Sequence, residues 1–379
     1  MDFKQNDSPF TLGVEWELQV IDSSSYQLTP KALGILDAID DPHFVKELFQ
    51  STLEINTDIC QDVHDVRRNF EDFLPLLDPF RDRLGVSFAS TGTHPISHFM
   101  DRLITPTRRY YEMIDRNQWL VRRMAVYGLH VHLGMLSGDH CINMQNFFLH
   151  LSPHLIALSA SSPFWGGTHT GLASTRLTMY ESMPTAGVPY QFESWKEFEI
   201  LVDSLMRAKS IHSLKDLWWD FRPSPSYGTL EIRICDSPAT LAELLALTAF
   251  IHTAAFWFQD HQEEWLQDPA HKFPNWVARE NKWRAMRFGL EAEIVTSASG
   301  DYCSLRASLD EWLQRLQPYY DRLGYEDYLK SLHYMILEGN SASRQTMLYQ
   351  LHHHLTAVAL NNMQEFEARM PLTWAELRA

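Results

Sequence analysis

Cysteine is scarce in this sequence: there are four in 379 residues (Cys60, Cys141, Cys235 and Cys303), and none shows CxxC spacing. That excludes a disulfide scaffold and a four-thiolate zinc site. Isolated thiols in a chain this long read as reduced cysteines of a cytoplasmic protein. No stretch comes near the ~18 uninterrupted apolar residues that signal a membrane span, so none is expected. The opening MDFKQNDSPF has neither the basic region nor the apolar stretch of a secretory signal. Positive charge is also short, with 32 Lys and Arg against 48 Asp and Glu and a formal net charge of -16. A nucleic-acid partner held on a broad basic surface is thereby excluded. A phosphorylated small molecule remains compatible, provided that metal ions mediate the contact. The usual phosphate loops are missing too, because SSPFWGGTHTGLASTR matches neither GxGxxG nor GxxxxGK[ST].

What is present is a core and a pattern. Apolar residues make up 45% of the chain, enough for a large buried interior. Strand-like stretches lie at Leu12–Ile21, Leu48–Asn56, Val86–Thr93, Leu129–Met135 and Thr229–Asp236. Helical spacing runs over Val63–Leu84, Arg108–Tyr127, Met144–Ala160, Trp195–Lys209 and Ala239–Trp265. Beyond about residue 300 only helices are expected, over Ser304–Leu323, Glu326–Glu338 and Ser341–Arg369. No regular βαβ beat appears, which favours an α+β fold. No hinge divides the text, so 1–379 reads as one catalytic domain. Its sheet and site fall mostly in 10–290, and 291–379 forms a helical C-terminal part.

Strand side chains alternate with period two, and that rule sorts each strand into two faces. TLGVEWELQV carries Glu15 and Glu17 opposite Val14, Trp16 and Leu18. FQSTLEINT carries Glu54 opposite Leu53 and Ile55. GLHVHLGM carries His130 and His132 opposite Leu129, Val131 and Leu133. GTLEIRICD carries Glu231 and Arg233 opposite Leu230, Ile232 and Ile234. A lone ExE or HxH is usually a solvated sheet face. Four such strands in one chain point instead to a convergent site, where divalent cations neutralise the carboxylates. Glu with His suits Mg²⁺ or Mn²⁺ better than structural zinc. Mg²⁺ held by carboxylates completes its shell with water and nucleotide phosphates, which points to ATP and accounts for the missing phosphate loop.

The ordered set GVEWE, STLEINTD, GTHP, GLHVHLG, ALSASSPFWGGTHTGLASTR and RPSPSYGTLEIRICD resembles the type 2 glutamate–cysteine ligases, also called the carboxylate–amine ligase family. The likeness runs from about Thr11 to Gly289. It implies an antiparallel sheet forming a half-barrel funnel flanked by helices, like that of glutamine synthetase. It also implies ATP-dependent ligation through an acyl-phosphate, with Mg²⁺ and with amino acids as substrates. Carried over residue by residue, Glu15, Glu17, Glu54, His130 and Glu231 match metal-binding positions. Arg233 matches a residue near the nucleotide phosphates and Arg176 one that binds the amino-acid substrate. His132 joins the metal set by sharing the face of His130. Arg233 and Glu54 are the expected catalytic pair, and glutamine at Glu15, Glu17, Glu54 or Glu231 is expected to stop turnover while leaving the fold intact.

Other features are weighed and set aside. His352–His354 occupy consecutive helix positions facing three directions, so they do not chelate together. Trp218–Trp219 read as core or pocket wall, His94 as part of a structural turn and Cys235 as a small buried hydrophobe. The Ser161–Arg176 loop is the candidate cover that keeps water from the intermediate, with a rigid structural loop as the equal alternative, since its glycines alone do not prove motion. A metal-dependent hydrolase of γ-glutamyl or related amides is the alternative function, separable by its independence of ATP. A non-catalytic binding protein is the third. A homo-oligomer is the default assembly.

Overall fold

The alternation in LGVEWELQVID becomes an eleven-residue strand, β1 (Leu12–Asp22), in which Leu12, Val14, Trp16 and Leu18 are buried and Glu15 and Glu17 only partly so. The structure is a computed structural model describing residues 1–6, 8–268, 271–272 and 274–377. Among the described residues six further strands join β1 in one sheet: β2 (Phe44–Lys46), β3 (Thr52–Asn56), β4 (Val86–Ala89), β5 (Gly128–Gly134), β6 (Phe221–Ser224) and β7 (Thr229–Asp236). The order across the sheet is β6-β7-β5-β1-β3-β2, and every pairing is antiparallel. β4 lies against the second half of β1, from Gln19 to Asp22, on the edge whose first half pairs with β5. The four strands bearing charged faces are therefore consecutive neighbours. Together with the surrounding helices this makes an α+β fold.

The apolar faces of these strands meet two long helices, Gly138–Ser159 and Leu241–Gln267, in one hydrophobic cluster. Both helices start on side-chain caps: Ser137 accepts from the amide of His140 and Thr240 from that of Glu243. Leu241–Gln267 is long and apolar enough to cross a bilayer, with a mean hydropathy of 1.6 over its best stretch, yet 89% of that stretch is buried inside the fold. It is a core helix here. Leu305–Leu323 and Glu326–Glu338 pack on it, and Leu355–Ala368 packs on β4. Trp16 lies at the cluster's centre, fully buried, with Phe70 and Phe366 on its ring and Nε1 donating to Ser90 Oγ at 2.7 Å.

Several boundaries differ from the sequence-based expectation. The strand expected over Leu48–Asn56 is regular only over Thr52–Asn56, and Val86–Thr93 only over Val86–Ala89. The Val63–Leu84 helix divides into Val63–Phe73, a 3-10 turn and Asp78–Leu84, with Pro75 and Pro79 at the joints. Arg108–Tyr127 divides at Gln118, whose φ is 51°. Asn275–Phe288 is a helix with no counterpart among the expected elements. Ser341–Arg369 breaks at His353, which caps one helix in the left-handed conformation, while His354 begins the next. The three histidines therefore do not occupy consecutive helix positions; only His352 is helical.

Candidate functional site

Strand register places the charged residues side by side. Glu15 stands opposite His130 on one side and Asn56 on the other, Glu17 opposite Glu54, and Glu231 opposite His132. Three groups of potential ligands follow, running diagonally from β7 to β3: Glu15 with His132 and Glu231, Glu15 with Glu54 and His130, and Glu17 with Glu47 and Glu54. Within each group the ligand atoms lie within 4.8 Å of one another, and shared Glu15 and Glu54 link the groups. All of these residues, with Arg176 and Arg233, line one cavity of about 610 Å³. Its other walls come from Val45–Leu48, the helix beginning at Arg108, Trp218, and the Pro223–Tyr227 turn.

Electrostatics differ sharply from one carboxylate to the next. Burial pushes the Glu15 carboxyl up, but hydrogen bonds from His130 at 2.9 Å and His132 at 3.2 Å outweigh it and hold the group well below the usual range. His132 is raised despite its burial, because Glu231 and Glu15 favour its charged form. His130 is lowered by burial and by the charge of Arg233. Glu54 is raised well above the ordinary carboxylate by burial and then by Glu15, Glu47 and Glu17. Burial and Glu17 likewise push Glu47 up to about 8. Glu231 goes the other way: its buried carboxyl is held at about 2 by Arg233 and Arg222.

The residues fit divalent cations. Acids that repel one another, three together in one group and two beside an imidazole in each of the others, are the donor arrangement a hard cation relieves. His130 Nε2 is buried without a partner among the described residues. Mg²⁺ or Mn²⁺ matches this oxygen-rich chemistry, with at most one imidazole to a group.

The cation-free protein should lose stability with rising pH. The raised pKa of Glu47 means that its folded-state advantage is full below the ordinary carboxylate range and is lost as pH rises through about 8. Glu54 acts in the same direction. The melting temperature of chelator-treated protein is therefore expected to fall between about pH 7 and about pH 9, above the range in which His94, His150, His154 and His252, kept neutral by burial, still add stability as pH rises. Added Mg²⁺ should restore it, and more strongly at the alkaline end, where fewer protons compete for the ligands. No Mg²⁺-dependent rise at about pH 8.5 would sink the cation assignment.

Arg176 and Arg233 meet behind these carboxylates. A β-bulge between Ile232 and Cys235 interrupts the β7–β5 ladder, and the Arg233 carbonyl accepts from Arg176 Nη2 at 3.2 Å. Gly128 leaves room for this, since a Cβ there would collide with the Arg176 guanidinium and sit 3.0 Å from His130 Nε2. Arg176 is 2% exposed, and among the described residues its Nε and Nη1 have no acceptor; nor does Nε of Arg233. Such donors suit an anionic ligand.

Three site residues escaped the sequence. Glu47 follows the three-residue edge strand β2, too short to show alternation. Arg222 pairs with Glu231 at 2.6 Å; counting back across the turn between Ser224 and Thr229 would have put the two opposite each other. Tyr180 lines the cavity from a helix of six residues.

Of the two readings of the Ser161–Arg176 segment, the contacts fit the rigid structural loop rather than the cover. The Ser161 amide and the Ser162 and Ser174 hydroxyls donate to Asp236 at 3.1, 2.6 and 2.8 Å, and only Arg176 of this segment reaches the cavity. Trp218 is pocket wall and Trp219 core. His94 is buried in a turn, accepting from the Ser97 amide at 3.0 Å, and Cys235 is buried.

Comparison with known proteins gives a consistent set. The family model described as glutamate-cysteine ligase family 2 (GCS2) matches residues 11–364. A protein of Bdellovibrio bacteriovorus, provisionally named glutamate–cysteine ligase 2, is 44% identical over 327 residues, 85% of each chain. A Gloeobacter violaceus protein of the same provisional name is 40% identical over 365 residues, covering 94% of this chain and 96% of that one. Among solved structures, the glutamate–cysteine ligase of Francisella tularensis in complex with AMP superimposes with a TM-score of 0.67 at 12% identity, covering 100% of this chain and 93% of that one. A bifunctional glutathione synthetase from Pasteurella multocida gives 0.68 at 14% identity, covering 95% of this chain and 52% of that one. At such identities the two structures speak for the fold alone.

Proposed function

The chain belongs to glutamate–cysteine ligase family 2, and from that premise we propose that its cavity joins a carboxylate to an amine, driven by ATP, with glutamate and cysteine as the pair. One observation carries this reading: three linked carboxylate and imidazole groups and two arginines with free donors converge on a single cavity. The family and its relatives favour ligation; nothing in them supports amide hydrolysis. A half-barrel funnel for the sheet, one catalytic domain over 1–379, a cytoplasmic location and a homo-oligomeric state belong to the same proposal.

The first step is attack of the substrate carboxylate on the γ-phosphorus of ATP, giving an acyl-phosphate and ADP. Both reactants are anions, so their approach must be shielded. Divalent cations held by Glu15, Glu17, Glu47, Glu54, His130, His132 and Glu231 would supply that neutralisation. Arg233 offers Nε to phosphate oxygens, and its guanidinium is kept in place by Glu231 and Tyr180. Arg176 offers Nε and Nη1 to the carboxylate of the amino acid. In the second step the amine attacks the acyl carbon, phosphate leaves and the amide forms.

The test is ADP release with ATP, Mg²⁺ and a matrix of amino acids and amines. Glutamate with cysteine should give the highest rate. Amine release from γ-glutamyl amides with metal alone, and no ADP, would establish the hydrolase instead. In the same assay Arg176→Ala should raise the amino-acid KM by roughly 10- to 100-fold, the size of a lost charge-assisted contact, with a smaller effect on kcat. A KM unchanged for every substrate would remove Arg176 from the pocket.

A further inference from the structure

Tyr180 stands between two guanidinium groups. Its hydroxyl accepts from Nη2 of Arg233 at 2.7 Å. Its ring centre lies 5.8 Å from Cζ of Arg233 and 5.5 Å from Cζ of Arg176. The side chain is buried yet contributes to the cavity wall. Tyr180 follows Arg176 by one turn of the helix Arg176–Glu181, so the two side chains share a face.

That helix is anchored on both sides. The amide of Arg176 donates to Ser162 Oγ at 3.1 Å. Glu181 pairs with the buried Lys282 at 2.9 Å, and Lys282 pairs with Asp220 at 2.6 Å. The carbonyl of Asp220 accepts from the amide of Arg233 at 2.8 Å. Arg233 is thus held from its main chain through Asp220 and from its side chain through Tyr180, within one closed ring of contacts.

We propose that Tyr180 is a positioning residue: it sets the guanidinium of Arg233 toward the nucleotide phosphates and keeps it apart from Arg176. The inference rests on the roles given above to the two arginines. A planar guanidinium bonded through Nη1 to Glu231 and through Nη2 to Tyr180 has its plane determined. Nε is then the donor left for a ligand. Without the hydroxyl, the fork can swing to engage Glu231 through two nitrogens, a preferred geometry for arginine and carboxylate, and Nε turns with it. The ring has a second task. Its centre lies 5.8 and 5.5 Å from the two guanidinium carbons, so its bulk acts as an uncharged spacer beside the phosphate-binding and carboxylate-binding arginines.

Two substitutions separate these tasks. Tyr180→Phe keeps the spacer and removes the hydroxyl. It should weaken binding of a non-hydrolysable ATP analogue with Mg²⁺ by about tenfold or more and lower kcat, the effect of one lost bond to a charged group. The KM for the amino-acid carboxylate and the melting temperature should stay at the parent values, which a merely structural role would not allow. Tyr180→Leu removes the ring as well and should weaken both ligands; if it fails to fold, the Phe variant decides alone. Arg233→Lys is the reference and should weaken the analogue by itself. Parent-like analogue affinity and kcat in Tyr180→Phe, alongside a weakened Arg233→Lys, would overturn the proposal while leaving the arginine assignments standing. Undiminished affinity in Arg233→Lys would overturn the assignment of Arg233 to the nucleotide, and the proposal with it.

Discussion

Glu54→Gln is expected to lower kcat/KM for ligation by about a thousandfold or more while making the cation-free protein harder to melt. The two effects have one origin. Glu54 belongs to two of the three ligand groups, so its loss removes a donor from both. It is also a buried carboxyl pushed well above its ordinary range by burial and by Glu15, Glu47 and Glu17. In the absence of cations that charge is a burden, and a neutral side chain of the same shape relieves it. At about pH 8 in chelator, the variant should melt at least ~2 °C above the parent. The addition of Mg²⁺ should then raise the parent's melting temperature more than the variant's. Turnover within tenfold of the parent at saturating Mg²⁺ would remove Glu54 from the reaction.

Glu231→Gln should be inactive too, but unstable where Glu54→Gln is not. Glu231 lies between Arg222 and Arg233, fully buried, and its carboxyl is held at about 2 by those two cations. Glutamine leaves both guanidiniums without a countercharge, and breaking a buried pair in this way costs about 3–5 kcal/mol. The expected result is a melting temperature lower by several degrees, with or without Mg²⁺. The sign follows from the shift. A carboxyl lowered in the folded state contributes stability above the ordinary carboxylate range and loses it as pH falls toward 2. Parent-like melting of Glu231→Gln would mean that the two arginines are satisfied elsewhere. Of the four glutamine variants, each expected to keep its fold, this one is therefore expected to be the least stable.

Much of the site was legible because β-strands write their faces into the sequence at period two. Val14, Trp16 and Leu18, or Leu129, Val131 and Leu133, mark a core face. The residues between them are then bound to share the other side. Neighbouring order was not legible from any one strand, but four faces of the same unusual chemistry made adjacency the economical reading. What stayed hidden lacks that periodicity. Glu47 sits at the end of a three-residue strand, and Tyr180 in a six-residue helix. Arg222 owes its role to a hairpin register that no composition rule reports. The glycines of Gly166–Gly171 suggested a moving cover, yet the buried carboxylate of Asp236 ties down both ends of that segment. The break at His353 has no Gly or Pro to announce it, and a histidine takes up the left-handed turn instead.

The placement of β1 also bears on how the chain is made. One edge of this strand is shared: Gln19–Asp22 pair with β4, but Leu12–Trp16 wait for β5, more than a hundred residues later. During synthesis, an emerging polypeptide that ends before Gly128 presents that half of β1 as an open row of amides and carbonyls, a ready template for a second nascent chain. Its Glu15, with Glu17 just beyond it, carries the like charge that discourages such pairing. The acids that serve the finished catalyst thus also guard the unfinished one.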